Sequence, residues 1–159
     1  MKTLILALGN PLRGDDGVGA AVLEALRMKD LPDALLIDGG TAGLETVLIL
    51  EESDRAIIID AADMGEAPGV WRRFSPDEVR LEARDMHLRG TLHYAGLSEA
   101  LALGAAMNML PQEITIFGVQ PQEIGWEIGL SPAVAAAVPA VCAAVEETLR
   151  LQQETQHDP

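Results

Sequence analysis

Residues 3–19 contain an apolar run, a glycine-rich loop and the start of a helical pattern, and this order constrains the fold more than any other stretch. Residues 4–8 have the length of a buried strand, and Gly9 and Pro11 end it. A helical pattern begins near Asp15. Strand, glycine-rich loop and helix in this order are typical of α/β proteins that bind a ligand at the start of the helix.

The predicted helix start has two adjacent carboxylates, Asp15 and Asp16, while Arg13 is the only basic residue nearby. A phosphate bound here would meet negative charge, so the loop suits a cation better than a nucleotide. One Asp at this position is expected to cap the helix. Two adjacent residues cannot both cap one helix, which leaves Asp16 for another role.

The composition indicates a single globular domain. We assign residues 1–152 to one α/β domain and residues 153–159 to a polar C-terminal tail. The net charge of −14 disfavours nucleic acid and anionic lipid surfaces as partners. No run reaches the ~18 apolar residues of a membrane span, so membrane insertion is not expected. The single cysteine, Cys142, excludes an intrachain disulfide, which fits a cytoplasmic location.

Apolar runs of strand length alternate with helical patterns along the chain. This alternation predicts a three-layer αβα sandwich with a mostly parallel, twisted sheet of about five strands. The predicted strands end near Leu8, Asp38, Asp60, Phe74 and Val119, and the predicted helices cover about 15–26, 41–51, 94–107 and 131–152.

Ligands of open parallel sheets bind beyond the carboxyl ends of the strands, where the strand order reverses. If the order begins 2-1-3, Asp16 after the first strand and Asp60 at the end of the third reach one crevice. His93, at the start of a predicted helix, completes an Asp-Asp-His set that suits zinc, nickel or iron. On its own, His93 would be interpreted as a capping or partly buried residue. We interpret His87 as a surface residue and His157 as part of the tail.

Other chemistries have weaker support in the sequence. There is no G-x-S-x-G or H-E-x-x-H motif, and Cys142 lies in an apolar helical pattern that indicates a buried thiol. Asp38 ends the second predicted strand, where a ribose-binding acid would lie. The loop at residues 9–14 is nevertheless not G-x-G-x-x-G.

The chain resembles the [NiFe]-hydrogenase maturation endopeptidases over residues 3–150. The resemblance is greatest in the opening motif at residues 9–19, Gly-Asn-Pro-Leu-Arg-Gly-Asp-Asp-Gly-Val-Gly. Residues 38–43, 58–61 and His93 are similar to later family motifs, as are residues 117–121 and 129–132.

The resemblance implies a protease that removes the C-terminal extension of a hydrogenase large-subunit precursor after nickel insertion. It also implies that Asp16, Asp60 and His93 contact nickel supplied by that precursor. One branch of the family has Glu where this chain has Asp16. We expect the glycine-rich segment to form the substrate cleft through Gly39, Gly40, Thr41 and Gly43.

Two other functions remain open at this point. A non-enzymatic nickel- or precursor-binding maturation chaperone would use the same three residues. A nucleotide-binding α/β module is the weaker alternative. The sequence does not identify which hydrogenase is processed.

Overall fold

The computed structural model describes residues 2–79 and 92–155, and in the helix that begins at Leu92 it describes side chains from Gly96 onward. Residues 14–17 form a 3-10 helix, and residues 76–79 are helical. The strands are β1 (Thr3–Ala7), β2 (Ala34–Asp38), β3 (Arg55–Ala61), β4 (Trp71–Phe74) and β5 (Glu113–Val119). The α-helices are α1 (Val18–Arg27), α2 (Leu44–Glu51), α3 (Leu92–Ala106) and α4 (Pro132–Glu154).

The five strands form one sheet in the order β2-β1-β3-β5-β4. All neighbouring strands are parallel except β4, which runs antiparallel to β5 at one edge. In register, Ala7 of β1 lies between Asp38 of β2 and Ile59 of β3. The strand order assumed from the sequence is therefore confirmed, and the carboxyl ends of β2, β1 and β3 lie side by side.

Helices cover both faces of the sheet, which confirms the predicted three-layer sandwich. Side chains alternate between the faces because successive strand residues point in opposite directions. On one face, Ile5 and Ile57 pack with residues of α1 and α4. On the other face, Leu6 and Ile58 pack with residues of α2 and α3.

Helix α4 is the one described helix that is long and apolar enough to cross a membrane by length and composition. Its apolar side is occupied in the fold, since Val134, Val141 and Val145 are fully buried against the sheet. The helix is continuous through Pro139. It ends at Glu154, two residues beyond the predicted end.

Close helix packing places the start of α3 at the carboxyl edge of the sheet. A Cβ at Gly96 would lie 2.9 Å from the carbonyl oxygen of Ala42, in the loop that follows β2. A Cβ at Gly104 would lie 2.5 Å from a methyl carbon of Leu110. Helix α3 therefore begins near the end of β2 and runs back towards the start of β5.

Candidate active site at the carboxyl edge of the sheet

Asp16 lies in the 3-10 helix between β1 and α1, and it is fully buried. Gly9 has a φ of +116°, and a Cβ there would lie 2.1 Å from the carbonyl oxygen of Asp16. Only glycine allows the chain to turn this tightly onto Asp16. The N–H of Asn10 donates to Oδ2 of Asp16 at 2.8 Å, which fixes the orientation of the carboxylate.

The start of α1 is pressed against the ends of β1 and β3. A Cβ at Gly19 would lie 2.7 Å from the carbonyl oxygen of Leu8 and 2.8 Å from that of Ile59. The N–H of Leu8 in turn donates to the Ile59 carbonyl at 2.9 Å. The short segment holding Asp16 is thereby fixed at the edge where β3 ends.

Asp60 is the penultimate residue of β3, and only 2% of it is exposed. It pairs in register with Gly118 of β5. Alternation along β3 places it on the same face as Ile58, which is the face covered by α2 and α3. The fold thus brings Asp16 and Asp60 to one edge, as the strand order predicted.

His93 lies in the first turn of α3, at the same edge and on the same face of the sheet as Asp60. The placement of its side chain is outside the described part of the molecule, and so are His87 and His157. Among the described residues no group of three or more His, Cys, Asp or Glu side chains is arranged to hold a metal ion. The role of the Asp16, Asp60 and His93 set remains a proposal.

Asp15 fixes the loop between β5 and α4, a role that the sequence analysis missed. Its Oδ2 accepts the N–H groups of Gln122 at 2.8 Å and Glu123 at 3.2 Å, and the Ser131 hydroxyl at 2.8 Å. Its Oδ1 accepts the Ser131 N–H at 2.7 Å. Neither Asp15 nor Asp16 caps a helix, and Ser131, at the N-cap position of α4, makes no side-chain capping bond.

Burial alone would raise the pKa of Asp15, but the hydrogen bonds from Ser131, Gln122 and Glu123 outweigh it and hold that pKa below its ordinary 3.8. A carboxyl whose pKa is lower in the folded chain stabilises the fold fully above its unfolded pKa. The stabilisation is lost as the pH falls through the folded-state pKa. Asp15 therefore stabilises this loop at neutral pH and ceases to do so only in acid.

We expect Asp15→Asn to lower the free energy of unfolding by about 2 kcal/mol at pH 7, because an amide NH₂ would face N–H and O–H donors. The loss should shrink as the pH falls below the unfolded-state pKa of 3.8 and through the lower pKa of the folded Asp15 carboxyl. Urea unfolding at several pH values measures both effects. Asp33→Asn is the matched control, since its carboxylate is exposed and accepts one side-chain amide bond from Gln153. Equal losses in the two variants would contradict the assigned role of Asp15.

The glycine segment after β2, residues 39–43, lies beside the connection from β1 to α1, residues 8–17, which we call the Asp16 loop. The Gly40 carbonyl accepts the N–H of Gly9 at 2.8 Å, and the Asp38 carboxylate accepts the N–H of Gly40 at 3.0 Å. Thr41 is exposed, and a Cβ at Gly43 would meet no atom within 4 Å among the described residues. Helix α2 begins at Leu44 with Gly43 as its N-cap, three residues after the start predicted near residue 41.

A cavity of about 550 Å³ lies beside the segment that holds Asp16, lined by Gly14 and Asp15, residues 122–123 and residues 125–131. Trp126 is 79% exposed there, and the Arg13 guanidinium stacks over its ring at 4.4 Å. The N–H of Gly14 donates to the Glu127 carbonyl at 2.7 Å. This surface is joined to the Asp16 segment through Asp15 and Gly14.

Cys142 is buried in α4, as the sequence predicted, and its Sγ contacts the Val22 carbonyl at 3.8 Å. Burial raises the pKa of this thiol, which disfavours the reactive thiolate. A thiol mechanism therefore has no support in the fold.

A family model described as hydrogenase maturation protease matches residues 21–148 of this chain. The chain belongs to the hydrogenase maturation protease family. It is 32% identical over 153 residues to a hydrogenase 2 maturation protease of Escherichia coli, covering 94% of this chain and 92% of that protein. The structure of the hydrogenase-maturating endopeptidase HybD from E. coli superposes with a TM-score of 0.84, at 30% identity, covering 96% of this chain and 94% of that one.

Other family members are longer than this chain. The hydrogenase expression/formation protein HoxM of Azotobacter vinelandii is 38% identical over 125 residues, which cover 76% of this chain. The aligned segment spans only 58% of the Azotobacter protein. Membership of the family and the shared α/β fold are established by these matches, and the activity of this chain is a separate proposal.

Proposed function

We propose that this protein is an endopeptidase that removes the C-terminal extension of a [NiFe]-hydrogenase large-subunit precursor. The observation that supports this most is the juxtaposition of two buried acids, Asp16 and Asp60, at the carboxyl edge of a family fold. This edge also carries the first turn of α3 with His93. Each acid follows or ends a strand at this edge, where parallel sheets place their ligands.

The three residues suit nickel carried by the substrate. Two carboxylates and one imidazole form a donor set that binds nickel, zinc or iron in preference to magnesium or calcium. We propose that Asp16, Asp60 and His93 contact a nickel ion that the precursor already holds. A carboxylate of the same set can also accept a proton from the attacking water as a general base.

Turnover separates this proposal from the chaperone alternative. The purified protein is incubated with a tenfold excess of purified precursor, and processed precursor is counted per molecule of protein. An endopeptidase processes many precursors per molecule. A chaperone forms a complex and leaves the precursor's C-terminus intact, and that result would favour the alternative function.

We also propose that Gly39, Gly40, Thr41 and Gly43 line the substrate cleft. Gly43 is the sharper position for a test, because Gly40 has a φ of +59° and any side chain there would strain the backbone. Gly43 has a φ of −175°, and a Cβ there would meet no atom of the described residues within 4 Å, so a side chain is accommodated without backbone strain. The segment that contains Gly43 is joined to the segment that holds Asp16 by the hydrogen bond from the Gly9 N–H to the Gly40 carbonyl.

We expect Gly43→Trp to lower kcat/KM for the precursor about tenfold or more, a change of ~1.4 kcal/mol in transition-state binding. The free energy of unfolding should stay within about 0.5 kcal/mol of wild type. Leu151→Trp is the control, since Leu151 is 45% exposed near the amino end of the sheet, where Gln152 contacts Thr3. Equal activity of Gly43→Trp and Leu151→Trp would remove Gly43 from the cleft.

A further inference from the structure

Strand β2 is the last strand at its end of the sheet, and no other described strand pairs with its outer edge. The N–H of Thr3 donates to the Asp33 carbonyl at 2.8 Å, and the N–H of Gly39 donates to the Ala7 carbonyl at 2.8 Å. Successive strand residues direct their backbone groups to opposite sides, so every second residue from Asp33 to Gly39 faces β1. The N–H and C=O groups of Leu36 therefore face away from β1, towards the open edge.

Within residues 2–79 and 92–155, the outer edge of β2 is not paired with another strand, and β2 itself lacks the basic and proline residues that normally prevent strand addition. Natural edge strands are protected by Lys, Pro, bulges or covering elements. Strand β2 reads Ala-Leu-Leu-Ile-Asp, without Lys, Arg or Pro, and its Leu35 is 48% exposed. The opposite edge strand, β4, contains two arginines, and Arg72 forms an ion pair with Glu66.

We propose that the C-terminal extension of the precursor binds as an added strand along the outer edge of β2, an inference that rests on the proposed function. An edge strand offers alternating donors and acceptors, and the chain that fits them is an extended polypeptide. The β2 edge leads directly into the Gly39–Gly43 segment beside Asp16. The extension of the precursor is the polypeptide that has to reach this segment.

The geometry of the sheet sets the distance between the paired residues and the scissile bond. Neighbouring strands lie ~4.8 Å apart, so an added strand would lie roughly 10 Å from β1, after which Asp16 follows. An extended chain crosses this distance in about three residues. Residues of the extension that pair with β2 therefore lie at least about three positions from the scissile bond, and an apolar one lies beside the exposed Leu35.

Two variants of Leu36 separate backbone pairing from side-chain packing. Leu36→Ala removes packing against the core and keeps the outward N–H, whereas Leu36→Pro also removes that N–H without breaking a bond to β1. We expect Leu36→Pro to raise KM for the precursor about tenfold over Leu36→Ala, with kcat unchanged. Unfolding curves confirm that both variants are folded.

Hydrogen exchange provides a readout that does not depend on a folded Leu36→Pro variant. With the inactive Asp16→Asn variant, addition of the precursor should slow exchange of the Leu36 and Asp38 amides at least tenfold. Unchanged exchange at both amides, or equal KM values for the two Leu36 variants, would overturn strand addition while wild-type cleavage still supported the proposed function. A wild-type protein that fails to cleave the precursor would overturn both proposals.

A second copy of this chain is the competing occupant of the β2 edge. Size-exclusion chromatography of wild type and Leu36→Pro tests it. A wild-type dimer that Leu36→Pro converts to a monomer, with no change in KM for the precursor, would show that the edge pairs with itself. A wild-type monomer, together with the KM difference, supports the precursor as occupant.

Discussion

Asp16→Asn or Asp60→Asn is expected to reduce precursor processing by about 10³-fold while the protein stays folded. Asparagine keeps the size of each side chain but removes the negative charge and the capacity to act as a base. The remaining amide oxygen at position 16 can still accept the Asn10 N–H, so the Asp16 loop should keep its conformation. The same loss of processing is expected for His93→Ala.

Initial cleavage rates and circular dichroism together measure this prediction. Asp15→Asn is an informative comparison, since Asp15 is adjacent, equally buried and of the same charge. Its substitution should reduce stability and leave residual processing far above that of Asp16→Asn. A folded Asp16→Asn or Asp60→Asn protein that cleaves at a near-normal rate would remove that residue from the proposed site.

The second large effect concerns nickel in the precursor. We expect at least 10²-fold faster cleavage of nickel-loaded precursor than of matched nickel-free precursor. The metal would be contacted by Asp16, Asp60 and His93 only when the precursor supplies it. Two carboxylates and one imidazole leave coordination positions open, and the only cysteine is buried in α4, so the free protein should hold metal weakly.

Matched precursor preparations with and without nickel, mixed with the same purified protein, test this dependence. Metal analysis of the free protein is the control, and it should show far less than one nickel per chain. Equal cleavage of both preparations would show that nickel in the precursor is not the recognition signal. A stoichiometric, tightly held metal in the free protein would lead to the same conclusion.

The sheet and the position of the acids could be predicted because they follow from local patterns. Continuous apolar runs indicate buried parallel strands, and glycine at positions 9 and 14 marks the loop that turns onto Asp16. Asp60 directly follows four buried residues of β3, so its place at the strand end could be predicted from the run itself.

The role of Asp15 could not be predicted from the sequence, because it depends on contacts between distant segments. Its partners at residues 122, 123 and 131 are more than a hundred positions away. Local preference favoured a helix cap for Asp15 and for Ser131, but the long-range bond between them uses both side chains. The sequence contained one signal for such a role. Residues 14–17 read Gly-Asp-Asp-Gly, and two adjacent acids cannot both cap one helix, so at least one of them has another role.

The intact mass of nickel-loaded precursor, before and after incubation with a catalytic amount of this protein, tests the central claim most directly. The account predicts that the precursor loses the mass of a single C-terminal peptide, that this peptide appears in solution, and that Asp16→Asn leaves the mass unchanged. An unchanged precursor mass with wild-type protein, while the two proteins form a stable complex, would contradict the account and support a maturation chaperone.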